Sequence, residues 1–333
     1  GFASQLGQII LGGGTLDNAN HPLTNAGVIA GRGAIRSGLL TNTGTITLSG
    51  GTSDIFPSLT QNSVGKTIVT GFGTTTFYGN VSNNAGSELR VSTGSTAIFL
   101  GNVGGLSLIT GGGVKVFEGS ASGGPLVTAG RSTVAPGASL AVDGIRESSL
   151  EVNGVASIDG SVVSRLTQLT LAGAPNAWTG RLGLTDDRLI IDYVGASPLG
   201  TIANQIKQGY NAGAWNGAGI SSSTAAVTPG RGIGFAEASA LGSPIMFFSE
   251  PIDATTLLLR YTLQGDADLS GSVNLDDFTR LAAGFGSGTV WTQGDFTYDG
   301  LVNLDDFTAL AANFGQTLPA DAARASVPEP GSC

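Results

Sequence analysis

Cysteine, histidine and methionine each occur once in this chain of 333 residues. The one Cys is Cys333, so disulfides do not hold the fold. The one His is His21, which precedes Pro22 as in a turn. Ser-His-Asp and Cys-His catalysis are thereby excluded, and histidine-rich zinc sites with them. Charged residues make up only 12% of the chain, and no basic stripe exists for nucleic acid. Apolar runs stay short of the ~18 residues that a membrane span needs. Glycine is plentiful at 54 residues, alongside many Thr, Ser, Val and Asn. That is the composition of a β-rich chain with many turns, long enough for two or three domains.

The remaining chemistry is equally sparse. The runs GGG (12–14, 111–113) and GRGIG (230–234) lack the Lys-Ser/Thr of a phosphate loop and miss the dinucleotide spacing. Asp186, Asp187, Glu147 and Glu151 are carboxylates of the kind that cleave glycosides in pairs, but solvated acids on strand edges explain them equally. Lys66, Lys115 and Lys207, possible bases of a lyase, have no acidic cluster near them in sequence. Trp178, Trp215 and Trp291 read as core residues before sugar platforms, with Trp291 placed to seal the C-terminal segment against its neighbour. The sequence points away from an enzyme.

Residues 1–160 carry Asn-x-Gly punctuation at Asn25, Asn42, Asn84 and Asn102, with a longer variant at Asn62, at intervals of 17, 20, 22 and 18 residues. Between the punctuation lie alternating stretches such as TITLS (45–49), TTTFYG (74–79), ELRVS (88–92), TAIFL (96–100) and GVKVFEG (113–119). Short strands at a near-constant period predict stacked coils, each burying its inner face on the next. A right-handed parallel β-solenoid (a parallel β-helix) is the first reading, and a β-sandwich is the second. The stretch is similar to strand repeats of bacterial surface and autotransporter-associated proteins.

Residues 161–264 predict a β-rich second domain with one short helix, where Ile202, Ile206 and Tyr210 recur at i, i+4, i+8 after Pro198. Its closing strand TTLLLRYTL (255–263) runs into Gly265 without a linker, so the segment that follows should dock on it as a rigid appendage.

That segment, 265–316, is the most explicit of the chain. GDADLSGSVNLDDFTRLAAGFG (265–286) and GDFTYDGLVNLDDFTALAANFG (294–315) are one sentence written twice, 29 residues apart. Calcium takes roughly 6–8 oxygen ligands, and a loop of about 12 residues supplies them from positions 1, 3, 5, 7, 9 and 12. In the first copy these are Asp266, Asp268, Ser270, the carbonyl of Ser272, Asn274 and Asp277. In the second they are Asp295, Thr297, Asp299, the carbonyl of Leu301, Asn303 and Asp306. Position 6, which needs a positive φ, holds Gly271 and Gly300. Position 8, Val273 or Val302, is placed to pair the two loops through a short strand contact. Two Ca²⁺ ions are expected, bound at micromolar affinity or weaker because each loop keeps only three carboxylates. After each loop Phe278, Leu281, Ala282 and Phe285, and again Phe307, Leu310, Ala311 and Phe314, draw one apolar helix face. Two helices this short should bury their stripes on each other, coupling metal to folding.

The duplicated unit resembles a type I dockerin, which carries two such calcium loops with Asp at position 12. The resemblance covers roughly 50 residues of the chain and implies a small pair of α-helices ordered by two calcium ions. Dockerins bind cohesin modules through residues near positions 10 and 11. Here those are Leu275, Asp276, Leu304 and Asp305, not the small hydroxyl pairs of cellulosomal relatives, so calcium binding carries over and cohesin recognition does not.

Eight acids and one base (Arg280) lie in 266–306, which leaves 16 acids against 14 bases elsewhere. The acidity of the chain thus belongs to the calcium unit. In the tail, 317–333, Val327-Pro328-Glu329-Pro330 looks like the start of a PEP-CTERM sorting signal, which in that family precedes a membrane helix and a basic cluster. Membrane attachment would come only through that missing segment. Dockerin-like repeats before such a signal resemble surface proteins of planctomycete-type bacteria. The expectation is a secreted or cell-surface structural or adhesive protein, self-assembling as a homo-oligomer or filament. The alternative is a polysaccharide-binding or polysaccharide-degrading component tethered to a cohesin-like module.

Overall fold

The computed structural model describes residues 3–160, 162–243 and 245–319. The sorting-signal tetrapeptide at 327–330 and Cys333 lie outside the described residues. The chain is mainly β, and its body is a parallel β-solenoid of about nine turns. Alternation dictates it: in Thr45–Ser49, Thr52–Ile55, Thr74–Phe77 and Thr96–Phe99 every second side chain is buried and its neighbours stay at the surface. A sandwich would have set such strands antiparallel; here each pairs in parallel with its equivalent one coil away.

In-register stacking places like over like. Ile55, Phe77, Phe99, Phe117, Val134 and Val152 form one inner column, partnered from strand to strand. Within it the rings of Phe77, Phe99 and Phe117 stack at 5.1 and 5.5 Å. A second column is polar. The Asn25 side-chain amide donates to Asn42 (2.8 Å), Asn42 to Gln61 (3.1 Å) and Gln61 to Asn83 (2.7 Å). The amides also donate to Thr45, Lys66 and Glu88 carbonyls, and within the ladder only its end atoms, Asn25 Oδ1 and Asn83 Nδ2, are buried without a partner. The punctuation at Asn25 and Asn42 therefore belongs to the inner ladder. At the next two coils Gln61 and Asn83 take that place, and Asn62 and Asn84 bond to each other outside. A shift of one residue moves a side chain to the other face.

The ladders run on past residue 160. Val155–Ile158 pairs in parallel with Arg181–Gly183, and that with Gly219–Ser221. The helix Leu199–Tyr210 packs on the last of these so closely that a Cβ on Gly209 would lie 1.9 Å from the Ile220 carbonyl oxygen. Direction then reverses. Thr256–Leu263 runs antiparallel to both Arg188–Asp192 and Arg231–Glu237, and nearly every residue of this terminal patch is buried. Among the described residues no helix is long and apolar enough to cross a membrane.

Phe99 sits in the middle of the ring column, with partners on both sides. Phe99→Ala should lower the unfolding free energy in chemical denaturation by about 3–5 kcal/mol. Phe72→Ala, on a ring 85% exposed, should stay within ~0.5 kcal/mol of wild type.

Candidate metal centre

Both predicted loops fold alike. Position 4 as well as position 6 turns left-handed: Leu269 and Gly271 have φ 58° and 88°, Tyr298 and Gly300 57° and 90°. The carboxylates at positions 1 and 12 organise each turn. Asp266 accepts from the backbone N–H of Ser270 and Gly271 (both 2.9 Å) and from the Thr262 hydroxyl. Asp277 accepts from Ala267 (2.8 Å) and Asn274 (2.9 Å). In the second loop Asp295 accepts from Asp299 (3.2 Å) and Gly300 (3.0 Å), and Asp306 from Phe296 (2.8 Å), Thr297 (2.9 Å) and Asn303 (3.0 Å).

The remaining predicted ligands ring these. Asp268 and Asp299 accept from Ser270 and Leu301 N–H. The Ser270 hydroxyl lies 3.3 Å from the Ser272 carbonyl, and the Leu301 carbonyl 3.5 Å from the Asn303 amide. Asn274 and Asn303 also cap the two helices, Leu275–Gly284 and Leu304–Asn313, by accepting from Asp276 and Asp305 N–H, with Asp277 and Asp306 completing the capping boxes.

The residues fit a hard cation. Asp266, Asp277, Asp295 and Asp306 are all buried, and a buried carboxylate is costly unless a cation or donors balance it. Burial pushes the Asp266 carboxyl up to about 7 and that of Asp295 to about 6, and raises Asp277 as well. The Thr297 hydroxyl, at position 3 of the second loop, is buried without a partner. Oxygen atoms of Asp266, Asp268 and Asp277 lie within 4.8 Å of one another. Asp295, Asp299 and Asp306 are not gathered so tightly, and Thr297 stands where the first loop has Asp268. An all-oxygen donor set of this kind suits calcium or a similar hard ion.

Two expectations are corrected. Val273 and Val302 do not pair the loops with each other. Val273 exchanges bonds with Gly315 and Gln316 beyond the second helix, and Val302 with Gly286 and Gly288 beyond the first. Each loop is therefore bound to the exit of the other copy's helix. Nor do the helix stripes bury on each other: Leu281 and Leu310 are buried, while Phe278, Phe285, Phe307 and Phe314 remain 37–54% exposed. The two helices meet at Phe278 and Phe307, with centroids 6.4 Å apart. The interior is filled instead by Trp291 and Phe296, and the inner side of the unit faces the body.

Docking on the body depends on residues that the motif leaves free. The Trp291 indole N–H donates to the Asp266 carbonyl (2.7 Å), and its ring stacks on Tyr298 (5.4 Å). The Tyr298 hydroxyl donates to the Ile233 carbonyl (3.1 Å) and accepts from Ile233 N–H (2.9 Å). Gly234 admits this approach; a Cβ there would lie 2.4 Å from Leu269 and 2.8 Å from Trp291. Arg260, in the closing body strand, donates to the Leu269 carbonyl and sets its guanidinium beside Asp266 and Asp268. The Lys207 ammonium reaches the Asp299 carbonyl at 3.1 Å. Only the docking role of Trp291 is legible in the sequence, from its position between the loops.

A second acidic group, Asp159, Asp186 and Asp187, lies in the body, with oxygens within 4.8 Å. Burial, with the charges of Asp186 and Asp159 adding to it, pushes Asp187 up to about 7, although Gly160 N–H donates to it. Its stabilising proton is fully bound below the unfolded value near ~4 and lost as pH rises through about 7. Wild type should therefore lose roughly 2 kcal/mol relative to Asp187→Asn between pH 4.5 and pH 8, measured by denaturant unfolding of both chains.

Comparison of the chain with protein-family models, with curated proteins and with solved structures returned no match, so the functional assignment rests on the paired loops.

Proposed function

We propose that this chain is a non-enzymatic extracellular structural or adhesive protein of the bacterial surface, whose C-terminal pair of dockerin-like loops is ordered by two Ca²⁺ ions. The observation that carries the reading is the burial, in both loops at equivalent positions, of the carboxylates at 1 and 12. Millimolar extracellular calcium would neutralise them and hold the loops against the body. Asp266, Asp268, Ser270, Ser272, Asn274 and Asp277 would hold one ion, and Asp295, Thr297, Asp299, Leu301, Asn303 and Asp306 the other.

Self-association into a filament or layer is the second element of the proposal. Strand Gln8–Asp17 pairs only with Val28–Arg36 among the described residues, and Ile10 on it is exposed. Such an edge templates another chain, here a second copy.

One observation bears on the polysaccharide alternative. A cleft of about 630 Å³ on the solenoid flank is lined by Asp17, Asn20, Arg36, Ser37 and Phe56 among others. Its aromatic ring is already covered, by Tyr78 on one side (4.5 Å) and the Arg36 guanidinium at 3.9 Å. A sugar ring would have to displace one of them, which keeps the structural reading first.

Calcium should raise the melting temperature of wild type and leave Asp266→Ala/Asp295→Ala unchanged; identical wild-type melts with calcium and with EDTA would remove the metal from the proposal. In electron microscopy, ordered filaments or sheets in calcium should fall apart in EDTA. Dispersed monomers in both conditions would favour the tethered alternative, to be followed by carbohydrate and cohesin binding.

A further inference from the structure

Lys115 and Glu147 are distant in sequence and meet in the solenoid core. Lys115 lies on Val114–Phe117 and Glu147 on Ile145–Val152, and neither side chain has any solvent exposure. The ammonium nitrogen is 2.7 Å from the Oε1 atom of Glu147. Thr128 stands between them: Lys115 Nζ donates to its hydroxyl oxygen at 2.8 Å, and the hydroxyl donates to Glu147 Oε1 at 2.5 Å. The other carboxyl oxygen, Oε2, is buried without a hydrogen-bond partner. Gly130 makes room for the amine, since a Cβ there would lie 2.6 Å from Nζ. The three side chains belong to three successive coils, as the strand register through Phe117, Val134 and Val152 shows.

We propose that Lys115 and Glu147 condense to an amide, an isopeptide cross-link that staples the first of these coils to the third. The reaction needs the amine and the carboxylic acid in their neutral forms. Burial, opposed by the nearby Glu147, holds the Lys115 amine below the ordinary lysine range. The amine lone pair attacks Cδ of Glu147. The nitrogen passes a proton to Thr128 Oγ1 while the Thr128 hydroxyl gives its own to Oε1, and Oε1 leaves as water. One N–C bond forms, one C–O bond breaks, and nothing is oxidised or reduced. Oε2 remains as the amide carbonyl oxygen, which explains how that atom does without a donor: an uncharged carbonyl costs less to bury unpaired than a carboxylate. Oriented groups held in contact react with effective molarities of roughly 10⁵–10⁸ M, which makes an otherwise unfavourable condensation feasible. In this scheme Thr128 is a catalytic residue, since it touches both reacting groups.

Intact-mass measurement of the denatured, purified chain tests the proposal. The expected mass is one water below that of the sequence, with the proteolytic peptides that hold Lys115 and Glu147 still joined. K115R should return the chain to its sequence mass. T128V, which keeps the pair but removes the shuttle, should give a mixture whose linked fraction grows with time. A wild-type chain at its full sequence mass, with the two peptides separate, means an ion pair only and overturns the proposal. So does a water loss that survives K115R, which would belong to another site such as Asp143-Gly144. The wild-type reading stands even if a variant fails to fold.

Discussion

In-register parallel stacking is the constraint from which the body follows. Once each strand pairs with its equivalent one coil away, an inner position is no longer a single residue but a column, and the column must be chemically consistent. The Phe77–Phe99–Phe117 column stacks rings, and the Asn25–Asn42–Gln61–Asn83 column passes a hydrogen bond from coil to coil. A polar residue placed once in such a core would be an orphan; placed in four successive coils it bonds to its own repeats, and only the end atoms Asn25 Oδ1 and Asn83 Nδ2 of that ladder are left without a partner. The same rule makes Lys115 and Glu147 conspicuous, because their register partners Ala97, Ser132 and Leu166 carry no charge, and the two meet each other and Thr128 instead.

A stack of parallel coils also has ends, and one of them is closed by a change of direction. Thr256–Leu263 inserts antiparallel between Arg188–Asp192 and Arg231–Glu237, leaving the outer face of the last strand for another element to cover. The C-terminal pair of loops covers it. Trp291, Tyr298 and Leu269 fill the space that Gly232 and Gly234 leave open. The two loop-helix copies are tied through backbone bonds at Val273 and Val302 and through the body beneath them, which is why their phenylalanines need not be buried.

How far the sequence discloses this depends on the range of the interaction. Local alternation is legible, and stretches such as 45–49 and 96–100 coincide with strands to within a residue. The loop geometry is legible too, because oxygen donors at fixed spacing within a dozen residues are a local statement. Position 4 is not: nothing local says that Leu269 and Tyr298 must turn left-handed and anchor the loops. The substitution of Gln61 and Asn83 into the asparagine ladder is hidden because Asn62 and Asn84, one residue away, look like better members. The reversal at 256–263 and the meeting of Lys115 with Glu147 depend on pairings between remote segments, for which a single sequence holds no local signal.

The two loops, alike in sequence, are not alike in their surroundings, and this bears on what calcium would do. Arg260 places a buried guanidinium beside Asp266 and Asp268, so the first loop already has part of the positive charge it needs. The second loop has Lys207 only at the Asp299 carbonyl, and its Thr297 hydroxyl is unpartnered. Coulomb attraction to an incoming ion is therefore weakened at the first loop and left whole at the second. The first loop is also held from the body by Arg260 and Thr262. Under the proposed reading calcium would add to the contacts that aromatic docking on Ile233 and Gly234 supplies. It would tighten a unit already seated, with the second loop as the more calcium-dependent half.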